Sequence, residues 1–327
     1  MKYDFAALRN GDLPEQVTNF LNYLETIKGK SQNTLNAYRI DLTMFFRFIK
    51  IYKRLPYDED LEFEEIPIYD IDDYIIKRIK LADLYAFLSF TEKYRSNSAY
   101  ARARKVATLK SFFKFLSGKA KIIDENPAIE LESPKISKRN PTYLTLEESK
   151  SLLRAIDGRN KERDYCIITL FLNCGLRLSE LCGINISNIK DDVLTVIGKG
   201  NKERTVYLNN ACIKSINNYI NVRNKNIDKI IDKDALFISK NNTRVSKRTV
   251  EVMLKKYLSA AGLDTVKYTP HKLRHTAATL MYKHGNVDIR SLQKILGHEN
   301  VSTTQIYTHV DDDQLREAVR SNPLSDE

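Results

Sequence analysis

The 327-residue sequence lacks any apolar run long enough to cross a membrane, and this absence excludes a large class of proteins. A transmembrane helix needs roughly 18 or more consecutive apolar residues, and no such run occurs. A signal-peptide hydrophobic segment and a terminal lipidation motif are also lacking. We therefore expect a soluble, cytoplasmic protein.

Histidine and cysteine are scarce, with five and four copies respectively, and their spacing does not fit a metal site. The cysteines are Cys166, Cys174, Cys182 and Cys212. Because they form no Cys-x-x-Cys pair, we expect buried, reduced thiols rather than a zinc site. His271 and His275 are spaced as in a His-Glu-x-x-His motif, but Lys272 stands where that motif needs glutamate. No metal or other cofactor is expected.

A nucleotide-binding loop is also absent, since no GxxxxGK[ST] sequence occurs. The segment that comes nearest is IGKGNKE, residues 197–203, where Lys199 lies between two glycines. Lysine is common in polar turns, although the glycines would let the backbone approach a partner closely. The sequence therefore disfavours an ATPase.

Positive charge is what the chain has in excess, with a net charge of +11 and a pI near 9.2. Such a field attracts phosphate backbones. Residues 58–73 carry nine carboxylates and no basic residue, and we interpret them as a solvated excursion from the helical core. Residues 91–121 carry nine lysines or arginines and a single glutamate. This basic segment is either an exposed helix with solvated cations or a face that follows DNA phosphates.

Apolar periodicity predicts a helical N-terminal domain, beginning with helical spacing through residues 15–50. Residues 126–144 contain three prolines and look like an interdomain linker. Thr145 and Glu148 have the spacing of a capping box, which predicts that a new domain begins there. The predicted divisions are an N-terminal helical domain at 1–132, a linker at 133–142 and a C-terminal domain at 143–327.

The C-terminal domain is predicted to hold one small sheet among helices. In VLTVIGKGNKERTVYL, residues 193–208, two short β-branched runs flank a polar turn, which is typical of a hairpin. Residues 164–184 are predicted to continue as a buried helix. Further helices are predicted at 244–262, 271–285, 288–296 and 301–308. The predicted fold class is therefore mainly α, with a small antiparallel sheet in the second domain.

Two short segments contain candidates for chemistry. In NCGLRLSEL, Arg177 lies among leucines, where burying it unpaired would be costly. Glu180 follows three residues later, and a structural Arg–Glu pair is one explanation. In TPHKLRHT, His271 and Arg274 lie one turn apart on a helix face. Arginine offers phosphate a planar fork, and histidine can transfer a proton near neutral pH.

A third segment is LGHENVSTTQIYTHV, in which His298 precedes Tyr307 by nine residues. Tyrosine is usually a packing residue, and its ordinary pKa near 10 makes it a poor nucleophile unless nearby groups stabilise the charge. With the arginines, histidines and Lys199, however, the set suits metal-free phosphoryl transfer. Cations would stabilise a pentacoordinate phosphorane, a tyrosine would attack, and a lysine would protonate the departing oxygen.

In order and spacing these motifs resemble those of the tyrosine recombinase (phage integrase) family, specifically its bacterial Xer-type members. GLRLSEL is similar to the first-arginine motif, IGKGNKER to the hairpin-lysine motif, HKLRHT to the His-x-x-Arg motif, and LGHENVSTTQIYTHV to the closing His-to-Tyr motif. The resemblance covers residues 143–310 and, more loosely, the N-terminal domain. It implies a SAM-like, core-binding N-terminal domain followed by an α+β catalytic domain.

The resemblance implies a role for each chemical group. Tyr307 would attack the DNA phosphate, forming a 3′-phosphotyrosyl bond and releasing a 5′-hydroxyl. Arg177 and Arg274 would hold the non-bridging oxygens. Lys199 would act as general acid toward the leaving 5′ oxygen.

Three further side chains would assist. His271 would share in proton transfer with Tyr307, His298 would hydrogen-bond the transition state, and Glu180 would orient Arg177. Because the phosphotyrosyl bond stores the energy of the broken backbone bond, neither ATP nor a metal would be needed.

The resemblance also implies a double-stranded DNA site as partner, bound by a homo- or hetero-tetramer. The C-terminal segment 311–322 would dock on a neighbouring protomer. The basic side chains expected to touch DNA are Lys28, Lys30, Arg39, Arg95, Arg102, Arg104, Lys105, Lys110, Lys202, Arg204, Lys247 and Arg248.

The implied activity is site-specific recombination through a Holliday junction. It would serve either Xer-like chromosome dimer resolution or integration and excision of a mobile element. Two alternatives remain at this point: a type IB topoisomerase-like nicking and closing enzyme, which shares the tyrosine chemistry, and a non-catalytic DNA-binding regulator.

Overall fold

The computed structural model describes residues 11–136, 142–198, 202–285 and 287–297. The chain divides into two compact units between residues 138 and 139. Among the described residues, no helix has the length and apolar content that crossing a membrane requires.

The described part of the N-terminal unit is helical and has an aromatic core. Its helices are α1 (Glu15–Thr26), α2 (Gln32–Tyr52), α3 (Asp73–Lys77), α4 (Leu81–Lys93) and α5 (Ala99–Gly118). Ser31 and Ser98 begin α2 and α5, because each hydroxyl accepts a hydrogen bond from a backbone N–H of the first turn. In the core, the ring of Phe45 lies 5.2 Å from the rings of Phe46 and Phe87.

The interpretation of residues 58–73 as a solvated excursion is wrong in part. The carboxylates are mostly exposed, but Ile66 and Ile68 between them are buried in the domain. The buried ammonium of Lys50 in α2 donates to both carboxylate oxygens of Asp70 at 2.8 Å. The high charge concealed these apolar positions, since a net charge does not show which side chains face inward.

The described part of the C-terminal unit contains helices and a small sheet. Its helices are α6 (Leu146–Arg154), α7 (Lys161–Cys174), α8 (Leu178–Cys182), α9 (Asn210–Arg223), α10 (Lys247–Ala260), α11 (Pro270–His284) and α12 (Ile289–Leu296). Its strands are β1 (Ile189–Lys190), β2 (Val193–Ile197) and β3 (Glu203–Tyr207), in the order β1-β2-β3. The mainly helical fold class with a small antiparallel sheet is confirmed.

The predicted hairpin is present, since β2 pairs with β3 in antiparallel register from Val193↔Tyr207 to Ile197↔Glu203. The predicted capping box at Thr145 also forms at the start of α6. The helices expected near 244–262, 271–285 and 288–296 correspond to α10, α11 and α12. The one expected at 301–308 lies outside the described residues.

The prediction of one continuous helix over 164–184 is wrong, because the chain turns at Gly175. This residue ends α7 in the left-handed conformation, with φ +58°. A side chain would be strained there, and a Cβ would lie 2.8 Å from Cδ2 of Leu296. The turn lets the chain restart as α8 with Arg177 at its N-cap.

A buried carboxylate joins α2 to α5 in the N-terminal unit. Asp41 accepts hydrogen bonds from the ammonium of Lys105 at 3.0 Å and from the hydroxyl of Thr108 at 2.9 Å, and Arg104 also donates to it. Both Asp41 and Lys105 are only 2% exposed. This location contradicts the expectation that Lys105 touches DNA, because its charge is used inside the domain.

Replacing Lys105 by methionine is expected to destabilise the protein by about 3–5 kcal/mol, because one partner of a buried ion pair is lost. Urea unfolding monitored by circular dichroism measures the change. Lys110→Met is the matched control, since Lys110 lies exposed on the same helix. Equal stability of the two variants would contradict a structural role for Lys105.

Candidate active site

Arg177 is fixed by the start of α8, where it occupies the N-cap position. Its backbone N–H donates to Oε2 of Glu180 at 2.8 Å, and its Nη1 donates to Oε1 at 2.7 Å. Its Nη2 donates to the carbonyl of Gly297 at 2.9 Å. The side chain remains about one-third exposed, so part of its guanidinium faces solvent.

Arg274 reaches the same carboxylate from α11. That helix begins at Thr269, with Pro270 in its first turn. Arg274 is buried, with 2% of its surface exposed, and its Nη1 lies 3.8 Å from Oε2 of Glu180. Nη1 donates to the carbonyl of Gly175 at 2.7 Å, and Nη2 donates to the carbonyl of Leu296.

Glu180 is the acceptor on which these arginines converge, and its carboxylate is fully buried. Burial alone would raise the pKa of the carboxyl. The hydrogen bonds and charges of Arg204 and Arg177 outweigh that effect, and the pKa lies below its ordinary value of 4.5. Glu180 is therefore ionised at neutral pH. One negative charge faces three guanidiniums, so the cluster keeps an excess of positive charge.

Arg204 is the third member of this cluster, although its sequence context predicts a position on the DNA-facing surface. Its Nη2 donates to Oε2 of Glu180 at 2.9 Å, and its side chain is only 12% exposed. Strand register could have found it, because Arg204 pairs with the buried Val196 and precedes the buried Val206 by two residues. Side chains two apart in a strand share one face.

His271 lies one turn before Arg274 on α11. Partial burial lowers its pKa below the ordinary 6.5, and the charges of Arg274, Lys272 and Arg177 lower it further. The ring is therefore neutral at pH 7 and able to accept a proton. Its Nε2 lies 3.1 Å from Nε2 of His275.

Lys199, His298 and Tyr307 lie outside the described residues, but the neighbours of the first two are placed. A Cβ on Gly198 would lie 3.5 Å from Oε1 of Glu180 and 3.8 Å from Nη1 of Arg177. The carbonyl of Gly297 accepts directly from Arg177. The chain thus passes the arginine cluster immediately before residues 199 and 298.

The other residues expected to touch DNA are mostly at the surface. The exposed ones are Lys28, Lys30, Arg95, Arg104, Lys110, Lys202, Lys247 and Arg248. Arg39 and Arg102 are partly buried, and Arg102 forms an ion pair with Glu92. Arg95 pairs with Glu64 of the acidic segment. These ion pairs reduce the charge that the basic segment presents outward.

The four cysteines are buried and free, as expected. The thiols of Cys174 and Cys212 lie 3.6 Å apart between α7 and α9. Burial raises the pKa of the Cys166 thiol to about 12, so this group is not a nucleophile. In the part of the chain that the structure describes, no group of three or more His, Cys, Asp or Glu side chains is arranged to bind a metal.

Two protein-family models and several known recombinases match this chain. The model of the phage integrase family matches residues 142–314, and that of the phage integrase N-terminal SAM-like domain matches residues 17–59. The tyrosine recombinase XerC of Caldanaerobacter subterraneus subsp. tengcongensis is 61% identical over 314 residues, which are 96% of this chain and 88% of that protein. The tyrosine recombinase XerD of Proteus mirabilis is 34% identical over 304 residues, 92% of this chain and 90% of that protein.

Solved structures resemble the fold. A post-cleavage complex of the XerH site-specific recombinase with palindromic difH substrate has a TM-score of 0.69 at 22% identity, covering 97% of this chain and 91% of that one. The Tn1549 transposon integrase in complex with transposon right end DNA has a TM-score of 0.67 at 20% identity, covering 93% and 98%. At these identities the likeness shows the fold alone.

Replacing Glu180 by glutamine is expected to lower the free energy of unfolding by about 3–5 kcal/mol at pH 7, because buried guanidiniums lose their counter-charge. Since the pKa of Glu180 is depressed, its stabilisation is complete above the ordinary value of 4.5 and is lost as the pH falls through the lower folded value. The difference between wild type and variant should therefore shrink below about pH 4.5.

Urea unfolding across this pH range measures the effect. Glu147→Gln is the control, because Glu147 forms an exposed ion pair with Lys150 and such pairs contribute little. A Glu180→Gln variant as stable as wild type at pH 7, or a difference that grows on acidification, would contradict the argument.

Proposed function

Because the chain belongs to the phage integrase family, we propose that it is a site-specific DNA recombinase of the Xer type. It cleaves and rejoins DNA strands through a 3′-phosphotyrosyl intermediate and a Holliday junction. Its partner is a double-stranded DNA recombination site, and it acts in the cytoplasm, where that DNA lies. The topoisomerase and regulator alternatives are set aside, since the relatives at 61% and 34% identity are tyrosine recombinases.

The observation that supports this chemistry best is the convergence of Arg177 and Arg274 on Glu180. Attack on a phosphodiester builds negative charge on the non-bridging oxygens. Two guanidiniums from different helices, held by a shared carboxylate, are preorganised to stabilise that charge without moving at the moment of reaction. Arg177 is the more accessible of the two and offers the planar fork that suits phosphate.

The reaction proceeds in two exchanges on phosphorus. The phenolic oxygen of Tyr307 attacks, and the bond from phosphorus to the 5′ oxygen breaks as the phosphotyrosyl bond forms. His271 receives the phenolic proton, a role that suits its lowered pKa. Lys199 gives a proton to the departing 5′ oxygen. The 5′-hydroxyl of a second strand then reverses these steps and releases Tyr307.

Glu180 and His298 support this exchange. Glu180 orients Arg177 through two hydrogen bonds. His298 follows Gly297, whose carbonyl Arg177 holds, and it hydrogen-bonds the transition state. The phosphotyrosyl bond conserves the energy of the broken strand, so rejoining draws on no nucleotide.

DNA affinity comes from the exposed basic side chains of both units, which neutralise backbone phosphates. Four protomers assemble on two sites, as a homo- or hetero-tetramer, with segment 311–322 reaching a neighbour. Chromosome dimer resolution and mobile-element movement share this chemistry. Mapping the cleaved site in the genome would distinguish these two roles.

Tyr307→Phe is expected to bind its DNA site with unchanged affinity and to form no covalent adduct, because the attacking oxygen is lost. Genomic fragments trapped by the wild-type protein define the site, and a nicked duplex carrying it supplies the substrate. Denaturing gel electrophoresis detects the adduct. Tyr165→Phe, which alters an exposed tyrosine of α7, serves as control. An adduct formed by Tyr307→Phe would move the nucleophile elsewhere.

Lys199→Ala is expected to slow cleavage by roughly 10²- to 10⁴-fold, the usual contribution of general acid catalysis. A 5′-bridging phosphorothiolate should restore the rate, since a thiolate leaves without a proton. Arg274→Ala is the matched control, because its proposed role is charge stabilisation and sulfur should not rescue it. Failure of the thiolate substrate to rescue Lys199→Ala would argue against a general-acid lysine.

A further inference from the structure

Arg204 forms several hydrogen bonds with protein groups around Glu180, which is unusual for a surface arginine that binds a phosphate. Its Nη2 and Nε lie 2.9 and 3.4 Å from the two oxygens of Glu180. Its Nη1 donates to the carbonyl of Ile295 in the last turn of α12. One guanidinium therefore connects the β3 strand to α8 and to α12.

The end of α12 also packs directly on this side chain. Gly297, which closes α12 with φ +63°, leaves so little room that a Cβ would lie 2.7 Å from Cδ of Arg204. In the sequence, His298 follows this glycine directly, and Tyr307 lies nine residues beyond His298. The position of Arg204 thus affects the point from which the nucleophile's segment departs.

Arg204 has little access to an external ligand. Its side chain is 12% exposed, against 34% for Arg177. All three nitrogens of its guanidinium group have protein acceptors. Only the small exposed part of its side chain is left for contact with a DNA phosphate.

We propose that Arg204 is a positioning residue for recombination: it fixes Glu180, and through it Arg177, and it holds the end of α12 from which the nucleophile's segment continues. This inference rests on the proposed function and adds a residue to it. It also replaces the expectation that Arg204 contacts a DNA phosphate. The two roles can be distinguished by experiment, because they have different kinetic consequences.

A positioning residue affects the rate of cleavage on bound DNA, whereas a phosphate contact affects affinity and its salt dependence. For Arg204→Met we expect cleavage of the nicked site at saturating protein to fall roughly 10- to 100-fold, as small misplacements of catalytic groups do. The dissociation constant should stay within about threefold of wild type, with an unchanged salt slope, because no phosphate contact is lost. Thr205→Val is the matched control, since Thr205 is exposed on the same strand.

The pH profile provides a second readout. Arg204 contributes the strongest interactions that lower the pKa of Glu180. Without them that pKa rises, so the loss of cleavage that follows protonation of Glu180, as distinct from protonation of the proton acceptor His271, should begin at higher pH in Arg204→Met. Arg204→Lys keeps the charge but not the fork, and it should recover part of the rate and part of the shift.

The outcomes separate this inference from the proposed function. If the wild-type protein traps no genomic fragment covalently, the proposed function fails. If wild type forms the adduct and Arg204→Met equals it in rate and pH profile, the positioning role is overturned. A defect confined to affinity and salt slope would also overturn it, in favour of a phosphate contact. If Arg204→Met does not fold, as judged by circular dichroism, Arg204→Lys decides by the same three measurements.

Discussion

A single buried carboxylate holds the candidate active site together. Three guanidiniums in one interior region would repel one another and would each carry a large desolvation cost. Glu180 offsets both effects, because its two oxygens accept from Arg177 and Arg204, and Oε2 also lies 3.8 Å from Nη1 of Arg274. With only one negative charge in this set, the compensation is incomplete. The remaining positive charge is what a phosphate group would meet.

The end of α12 gives the arginines their second anchor. The last carbonyls of a helix have no partner within it, and here the carbonyls of Ile295, Leu296 and Gly297 accept from Arg204, Arg274 and Arg177 respectively. Each arginine is thus held both by Glu180 and by one of three consecutive peptide groups. The hydrogen bonds that satisfy the last carbonyl groups of α12 therefore also orient the three arginines. This arrangement depends on the left-handed conformations of Gly175 and Gly297.

Sequence patterns predicted those parts of the molecule in which short-range residue preferences agree with the final fold. The hairpin and the capping box at Thr145 follow from short-range patterns, and the fold class follows from periodicity with the motif resemblance. The break at Gly175 was missed because the apolar run continues through it. The left-handed backbone and the contact with Leu296 of α12, which together require glycine there, are visible only in the fold. The sequence motifs supplied Arg177, Arg274 and Glu180 as candidates. Arg204 was misplaced because a basic residue near a polar turn was judged by composition rather than by strand register.

The basic side chains fall into two groups: some are held in ion pairs inside the protein, and others are exposed to solvent. Lys105 and Arg104 are engaged by Asp41, and Lys50 by Asp70, so the net charge overstates what the surface offers to DNA. Exposed lysines such as Lys28 and Lys110 act across solvent, where added salt screens them strongly. The guanidiniums around Glu180 are largely buried, where screening is weak. Salt concentration should therefore affect the affinity for DNA far more than the rate of cleavage of bound DNA. Because different residues set these two properties, a substitution can change one without changing the other.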